Sequence, residues 1–369
     1  MLTHGGSVLS RHAAHPLPPA PALDTAVAME QEARMLTHGG SVLSRDAAQP
    51  LPPAPNRDRQ GADLSRRTFL ATIPALAFAQ TSPPRTRILL GGDVMLSRNV
   101  AARARAQKDP AWPFRAIAPV FADADIAFVN LESPFSDKGA VMQRGMIFKT
   151  EPEMIAGLEL AGIDVVSTAN NHARDRGSYG VEFTLDHLAA HGIAAVGTGK
   201  TPEAAHAGTV LERNGLRFGF LAYTYDTNNG NYKDTDPRIA ALDIAIMQAD
   251  VKAMKERADV ILVSMHAGAE YQPQPNAQQT TFARAAIDAG ARVVMGHHPH
   301  VRQPWEWYGG GAIFYSLGNL IFDQFQRTET QIGLLAEVVF EGTQIIQART
   351  RTVTLPLTVP RLAETAAGQ

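Results

Sequence analysis

The sequence predicts an α/β protein in which two mixed β-sheets pack face to face, with helices on the outside. From residue 85 onward, apolar strand-like runs alternate with helix-like segments, and beyond residue 311 only strand-like runs follow. The alternation is typical of parallel strands joined by helices, whereas consecutive strands favour antiparallel pairing. Because one chain carries both patterns, we expect parallel and antiparallel pairing together.

The strands and helices can be assigned in chain order. The first part has predicted strands 87–92, 125–130, 164–169 and 193–197, with helices 97–107, 152–161 and 178–191 between them. Asn214-Gly215 separates two apolar runs and predicts a hairpin over residues 210–220. The second part has helix 238–257, strand 259–264, helix 276–289 and strand 292–296, then strands 312–316, 332–340 and 344–353.

The region before residue 85 is predicted to lie outside the folded domain. Residues 1–24 recur with few changes at residues 35–58, and both copies end in a proline-rich run. Two such copies cannot stack into a continuous core, so residues 1–64 are interpreted as a disordered, duplicated leader. The folded domain is expected over residues 85–358, followed by a tail at residues 359–369.

Residues 65–80 resemble a twin-arginine export signal. Arg66-Arg67 precedes a short apolar run, and Ala77-Phe78-Ala79 provides a small-residue cleavage site. We therefore expect an exported protein, periplasmic or extracellular, and an uncleaved segment would leave it associated with the membrane. The competing interpretation is a chance arginine pair in front of an alanine-rich helix.

The composition narrows the kinds of site that the chain can build. It contains no cysteine, which rules out disulfides and thiolate metal ligands, and its formal net charge is −2. Because there is no basic excess, nucleic acid is not an expected partner.

Acidic, amide and imidazole side chains follow five of the predicted strands. They include Asp93, Glu132, the pair Asn170-Asn171, His266, His298 and His300. Strand ends that meet at one edge build the sites of open α/β sheets, and these donors suit a divalent metal. Taken singly, each has a simpler interpretation: Asp93 could cap a helix, and Glu132 could form a surface salt bridge.

The segment Asn170-Asn171-His172 combines a metal-ligand amide with an imidazole that could donate a proton to a leaving group. Asp175 is close enough in sequence to orient that imidazole and raise its pKa. The alternative is an asparagine-rich turn with an N-capping aspartate.

Gly296-His297-His298-Pro299-His300 carries three imidazoles. In an extended backbone, side chains alternate with period two, so His298 and His300 are expected on one side and His297 on the other. The pair could then reach one metal or two neighbouring metals, with His297 as a bystander. The turn at Gly318 is expected to bring Asn319 or Asp323 to the rim of the site.

Several motifs together resemble the CapA/PgsA family of poly-γ-glutamate (capsule) synthesis proteins, within the calcineurin-like metallophosphoesterase superfamily. The matching segments are Gly92-Asp93-Val94-Met95-Leu96, Asn130-Leu131-Glu132, Ala169-Asn170-Asn171-His172, His266-Ala267-Gly268-Ala269-Glu270-Tyr271, Gly296-His297-His298-Pro299-His300-Val301 and Tyr315-Ser316-Leu317-Gly318-Asn319. The likeness covers about residues 86–340. It implies a four-layer α/β/β/α sandwich that contains one or two divalent metal ions.

The resemblance also implies a role for each motif residue. Its metal ligands would be Asp93, Glu132, Asn171, His266, His298 and His300, with His172 as the proton donor beside Asp175. The substrate would meet Asn170, Glu270, Tyr271 and Asn319. Two departures weaken one of the metal positions: Met95 stands where a histidine is usual, and Glu132 replaces a bridging aspartate. The donors do not distinguish Mn, Fe, Zn and Mg.

Two functions remain open at this point. One is a metal-dependent, phosphoesterase-like hydrolase that acts on a phosphoester or on an anionic polymer during capsule synthesis. The other is a non-catalytic accessory protein that uses a cation to bind polyglutamate, with membrane subunits of a capsule synthesis or export complex as partners.

Overall fold

The computed structural model describes residues 83–138, 146–225 and 236–363, all within one compact unit. The predicted leader (1–64) and export segment (65–80), and the last residues of the predicted tail (364–369), lie outside the described residues. None of the helices in the described part is long and apolar enough to cross a membrane.

The first sheet has eight strands. They are β1 (Arg85–Val94), β2 (Ile126–Leu131), β3 (Val165–Ser167), β4 (Ala194–Val196), β11 (Asn319–Ile321), β12 (Ile332–Glu341), β13 (Gln344–Thr354) and β14 (Arg361–Leu362). Their order is β14-β13-β12-β1-β2-β3-β4, and β11 also pairs with β1. Strands β1 to β4 and β11 run parallel, while β12, β13 and β14 add antiparallel pairs.

The second sheet has six strands in the order β5-β6-β7-β8-β10-β9. They are β5 (Thr209–Arg213), β6 (Leu216–Thr224), β7 (Val260–His266), β8 (Val293–His297), β9 (Trp305–Tyr308) and β10 (Gly311–Phe314). The four central strands are parallel, and each edge strand joins its neighbour as an antiparallel hairpin. Both sheets are therefore mixed, as the sequence predicted.

Helices cover the outer faces of the two sheets. They are α1 (Arg98–Ala106), α2 (Ala118–Phe121), α3 (Ile155–Leu160), α4 (Gly177–Ala190), α5 (Pro202–Ala207), α6 (Ile244–Met254) and α7 (Ala277–Ala289). Residues of α1 to α4 pack with one face of the first sheet, and residues of α5 to α7 pack with one face of the second.

A third apolar cluster lies between the sheets. It contains Ile88 and Phe128 from the first sheet together with Phe220 and Leu262 from the second. With a core on each side of each sheet, the layers run helix, sheet, sheet, helix. This confirms the predicted four-layer α/β/β/α sandwich.

Two boundaries differ from the sequence prediction. Helix α6 begins at Ile244 instead of residue 238, because the Asp243 side chain accepts a hydrogen bond from Ile246 N (2.9 Å) and caps the helix there. The predicted tail also starts later, because Arg361–Leu362 pairs antiparallel with β13.

The alternation of side chains explains which residues reach the space between the sheets. In β7, Val260 and Leu262 face the inner core while Ile261 and Val263 face the helices, so His266 points inward at the strand end. In β1, the register shifts between Leu90 and Asp93. After this shift, the Asp93 side chain points inward and the next residue, Val94, packs in the outer core.

Candidate metal centre

The carboxyl ends of strands from both sheets meet at one edge of the sandwich. Asp93 and Asn130 are paired residues of the parallel strands β1 and β2, so their side chains lie together. Asn130 Nδ2 donates to Asp93 Oδ1 (2.8 Å). His266 ends β7, and Asn130 Nδ2 also lies 3.3 Å from His266 Nδ1. The amide of Asn130 thus links ligand candidates of the two sheets.

Glu132 occupies the middle of this cluster. Its Oε1 lies 3.6 Å from His300 Nε2 and 3.9 Å from His266 Nε2. Both carboxylate oxygens are buried and neither accepts a hydrogen bond. Burial, reinforced by nearby carboxylates such as Asp93, raises the pKa of Glu132 well above its usual value, despite the opposing effect of His300. A buried carboxylate without donors fits a site in which a cation is its partner.

The candidate ligands form two groups that share Glu132. Group one contains Asp93, Glu132 and His300, and group two contains Glu132, His266 and His298. Within each group, the ligand atoms lie within 4.8 Å of one another. Asn171 extends group two, since its Oδ1 lies 2.9 Å from His266 Nε2. The residues present therefore fit divalent metal ions, and their mixed oxygen and nitrogen donors leave the metal's identity open.

Electrostatics distinguishes the histidines of the two groups. Burial, aided by neighbouring imidazoles, lowers the pKa of His266 well below its usual value and that of His298 to about 3. Both rings are thus neutral, which is the form that binds a metal. Burial also lowers the pKa of His300, but the carboxylates of Glu132 and Asp93 outweigh it and raise the pKa to about 9. The two carboxylates thus favour the protonated form of His300.

Asp93 accepts contacts on both of its oxygens. Burial alone would raise its pKa, yet the nearby imidazoles of His297 and His300 bring the pKa well below its usual value. His300 Nδ1 lies 3.2 Å from Oδ2, and His297 Nδ1 lies 3.3 Å from Oδ1. The carboxylate is therefore ionised, as a metal ligand must be.

Met95 does not face this centre. Its side chain belongs to the outer core, and its sulfur accepts hydrogen bonds from Ser97 N (3.2 Å) and Ser97 Oγ (3.0 Å). Group one consequently has no ligand from this position.

His172 and Asp175 form a buried pair next to the ligand groups. His172 Nδ1 lies 2.7 Å from Asp175 Oδ2, and Phe148 N donates to the same oxygen (2.6 Å). The Phe148 ring packs against the imidazole, with 4.0 Å between ring centroids. With Nδ1 bound to a carboxylate, the tautomer and the orientation of the ring are fixed. Nε2 remains as the atom that can exchange a proton.

Asn170 and Asn319 lie below the surface of the site, and their contact with substrate stays a prediction. Both side chains are buried, and their polar atoms are engaged. Asn170 Nδ2 donates to Leu131 O (2.9 Å), and its Oδ1 accepts from His172 N (3.1 Å). Asn319 Oδ1 lies 3.0 Å from His300 Nδ1, while Nδ2 donates to Thr330 O (3.0 Å) and to Gln324. Both amides therefore hold the site in place, and neither lies at its rim.

Glu270 and Tyr271, which were predicted to contact substrate, are more exposed than the ligand candidates. Glu270 is exposed and Tyr271 is partly exposed. The Tyr271 ring lies 6.4 Å from the His300 ring, and its pKa rises to about 12 through burial and the charge of Glu270. The other candidate for the rim, Asp323, is buried instead and pairs with Arg98 (3.2 Å).

The backbone at His298 and His300 is not the extended chain that the sequence suggested. Their φ angles are 96° and 58°, in the left-handed region. The two rings lie 6.1 Å apart and belong to different ligand groups. The prediction that they reach neighbouring metal positions is compatible with this geometry, but the argument from period two was wrong.

Sequence reasoning overlooked Tyr225 and dismissed His297. Tyr225 follows β6, and its ring lies 4.9 Å from that of His298. It ends a strand-like run as the ligand candidates do, so the same strand-end criterion could have found it. His297 pairs with His266 in the parallel register of β7 and β8, and therefore points to the same face of the sheet. The chain is thus a two-sheet α/β/β/α sandwich with a candidate divalent-metal centre at the strand ends.

Comparison with known proteins identifies the family. Residues 87–324 match the family described as bacterial capsule synthesis protein PGA_cap, and the chain belongs to this family. The family predicted from the motifs is thereby confirmed.

Two characterised relatives carry names from capsule biosynthesis. The PGA biosynthesis protein CapA of Bacillus subtilis (strain 168) is 34% identical over 237 residues, which cover 63% of this chain and 62% of the relative. The capsule biosynthesis protein CapA of Bacillus anthracis is 29% identical over 265 residues, covering 69% and 64%. The chain thus spans less than two thirds of the length of either relative.

Among solved structures, the 5′-nucleotidase precursor of Thermus thermophilus is similar with a TM-score of 0.47 and 13% identity. The match covers 75% of this chain and 55% of that protein. A similarity at this level says nothing about what the present chain does.

Proposed function

We propose that the protein acts in the biosynthesis of poly-γ-glutamate or a related capsule polymer as a metal-dependent, phosphoesterase-like hydrolase. The observation that carries this proposal is the His172–Asp175 pair beside the two ligand groups. A site that only holds a cation needs no imidazole fixed in one tautomer. An imidazole oriented by a carboxylate is the arrangement of a proton donor or acceptor.

Each residue has a separate task in this proposal. Divalent metal ions, when bound, would supply a Lewis acid and lower the pKa of a bound water. Asp93, Glu132 and His300 would hold one metal, and Glu132, Asn171, His266 and His298 would hold the other. His172 Nε2 would give a proton to the leaving oxygen, and Asp175 would hold the imidazole at Nδ1.

The substrate proposed is an anionic polymer or a phosphoester. A buried site with two divalent cations attracts anionic groups. Tyr225 and Tyr271 border the ligand histidines and are partly exposed. Burial and carboxylate charges raise the pKa of both phenols, so each remains a hydrogen-bond donor for an anion at neutral pH. An amide of a γ-glutamyl chain could be polarised in the same way.

A second candidate is a non-catalytic accessory protein that binds polyglutamate through a cation and joins membrane subunits of a capsule complex. The names of both relatives refer to biosynthesis and not to hydrolysis. Under this alternative the metal ligands would matter for binding, and His172 would not.

Hydrolysis of an aryl phosphate by the metal-loaded protein distinguishes the two candidates. We expect His172→Ala to lower the rate about 10²–10⁴-fold, the usual contribution of a general acid. The matched control is His206→Ala, because His206 Nδ1 also contacts a carboxylate, Asp250 Oδ2 (2.8 Å), but in the helical layer over the second sheet. The control should keep the wild-type rate.

Metal binding without any turnover that depends on His172 would contradict the hydrolase proposal. The same variants are then to be tested for retention on immobilised polyglutamate in the presence and absence of Mn²⁺. Retention that requires Mn²⁺ and is unaffected by His172→Ala would favour the accessory protein.

We also propose that the protein is exported through the twin-arginine segment at residues 65–80. The proposal rests on the arginine pair and the cleavage motif of the sequence. Under this proposal, the active protein lies in the periplasm or outside the cell.

A further inference from the structure

His297 is a fully buried imidazole to which the proposed function gives no task. It ends β8, where Val293 and Met295 face the core between the sheets, so His297 faces the same space. Its register partner on β7 is His266, a candidate ligand. Side chains of paired residues in a parallel ladder point the same way, and His297 is therefore directed toward the metal centre.

The ring makes one polar approach, and it is to Asp93. His297 Nδ1 lies 3.3 Å from Asp93 Oδ1, the oxygen that also accepts from Asn130 Nδ2. Among the described residues, neither ring nitrogen has a hydrogen bond of good geometry. On its apolar side the ring contacts Phe128, with 6.2 Å between centroids. A buried imidazole with so few partners is costly unless it serves the group it approaches.

His297 is not itself placed among the metal ligands. The two ligand groups contain Asp93, His298 and His300 but not His297. On Asp93, Oδ2 lies beside His300 Nδ1 and His298 N, whereas Oδ1 lies beside His297 and Asn130. Oδ2 thus contacts His300 of group one, whereas both side chains on Oδ1 lie outside the two ligand groups.

We propose that His297 is a positioning residue, which contacts Asp93 Oδ1 through Nδ1 and, together with Asn130, keeps Oδ2 turned toward the metal of group one. This inference rests on the proposed metal centre. The orientation of Asp93 matters particularly in group one, which has no ligand from Met95. A site with few ligands depends more on how each one is oriented. Groups that orient a ligand typically change metal affinity about 10–100-fold when removed.

Three substitutions at one position separate orientation from mere packing. His297→Phe keeps a ring of similar size between the sheets but has no donor. His297→Asn places its amide near the former Nδ1, and His297→Gln places its amide near the former Nε2. Binding of Mn²⁺ to the metal-free full-length protein is measured by calorimetry, and thermal unfolding of the same metal-free samples reports on the fold.

We expect His297→Phe and His297→Gln to bind one Mn²⁺ about 10–100-fold more weakly. His297→Asn should bind within a few-fold of wild type, and the metal-free melting temperatures of all three should remain close to wild type. Equal binding by wild type and His297→Phe would overturn the proposal, as would equal weakening in His297→Asn and His297→Gln. A parallel fall in metal-free melting temperature would show a packing role only and would overturn it too.

Two further results are informative. Loss of one whole Mn²⁺ equivalent in every variant, His297→Asn included, would make His297 a ligand and would overturn the positioning role. If the wild-type protein binds no Mn²⁺, the metal-dependent function itself fails, and this inference with it. If the wild-type protein binds Mn²⁺ normally but His297→Asn binds as weakly as His297→Gln, this inference fails and the metal-dependent function stands.

Discussion

Glu132 is the residue that most favours a metal at this cluster over a fortuitous group of polar side chains. Its carboxylate is inaccessible to solvent, has no hydrogen-bond donor and lies between His266 and His300. In the metal-free protein, burial raises its pKa, so the folded chain bears a cost for keeping it charged. A cation bound by both groups would remove that cost, because it would compensate the charge of the carboxylate and take the place of the missing hydrogen-bond donors.

The substitution Glu132→Gln tests this interpretation. It leaves the shape of the side chain but removes the charge that both groups share. Saturating Mn²⁺, at about 100 times the dissociation constant, stabilises a protein with one site by about 2.7 kcal/mol. We expect this stabilisation in wild type and its near-complete loss in Glu132→Gln, measured as the Mn²⁺-induced shift in thermal unfolding.

Glu270→Gln is the matched control, since Glu270 is an exposed glutamate at the mouth of the same site. It should retain most of the Mn²⁺-induced shift, and EDTA should abolish the shift in wild type. The same shift in Glu132→Gln as in wild type would mean that the metal is bound elsewhere.

At the level of elements, the end of β1 is built by close backbone contact. Asp93 N donates to Gly318 O (2.9 Å), which ties β1 to the turn before β11. A Cβ at Gly92 would lie 1.9 Å from that same carbonyl oxygen, so only glycine allows the approach. Asp93 directly follows Gly92 in the chain, so its position in the candidate metal centre depends on this contact.

We expect Gly92→Ala to destabilise the fold by about 3 kcal/mol, the upper part of the usual range for overpacking. Gly91→Ala is the control one residue earlier, where a Cβ would meet methyl groups of Leu320 and Val129 that can shift. It should cost about 1 kcal/mol. Urea unfolding measures the free energy of unfolding of both variants. Equal destabilisation by the two substitutions would show that the close approach to Gly318 O adds no cost of its own.

At the level of the whole molecule, the site exists only because two sheets close on each other. Asp93, Glu132 and Asn171 come from the first sheet, and His266 and His298 from the second. The apolar cluster between the sheets sets their separation. Metal binding should therefore be coupled to the packing of the whole sandwich.

The proposed export would also be a property of the whole chain. We expect Arg66→Lys combined with Arg67→Lys to keep the protein in the cytoplasm, because twin-arginine signals are recognised through the arginine pair. Cell fractionation of the full chain and the double variant measures this. A double variant of Arg103 and Arg105, two arginines of α1 in the folded domain, is the control and should be exported. Unchanged export of the Arg66/Arg67 variant would contradict the signal.

Much of the fold and the candidate site could be predicted because both follow local rules. The strand and helix order follows from apolar periodicity, and acid, amide and imidazole groups at five strand ends were found by position alone. His172 and Asp175 lie three residues apart, so their pairing was also accessible. The buried positions of Asn170 and Asn319 could not be predicted, because the hydrogen-bond partners of an amide come from remote segments such as Leu131 and Thr330.

The sequence by itself determined the order of the elements, the family and the chemistry of the ligands, since these depend on residue type and local spacing. Only the tertiary structure decided that Glu132 is shared by two groups, that Met95 turns away and that His297 faces Asp93. Those facts depend on the register between strands distant in sequence and on left-handed backbone at His298 and His300. Neither can be read from local periodicity, because each is set by packing of the two sheets.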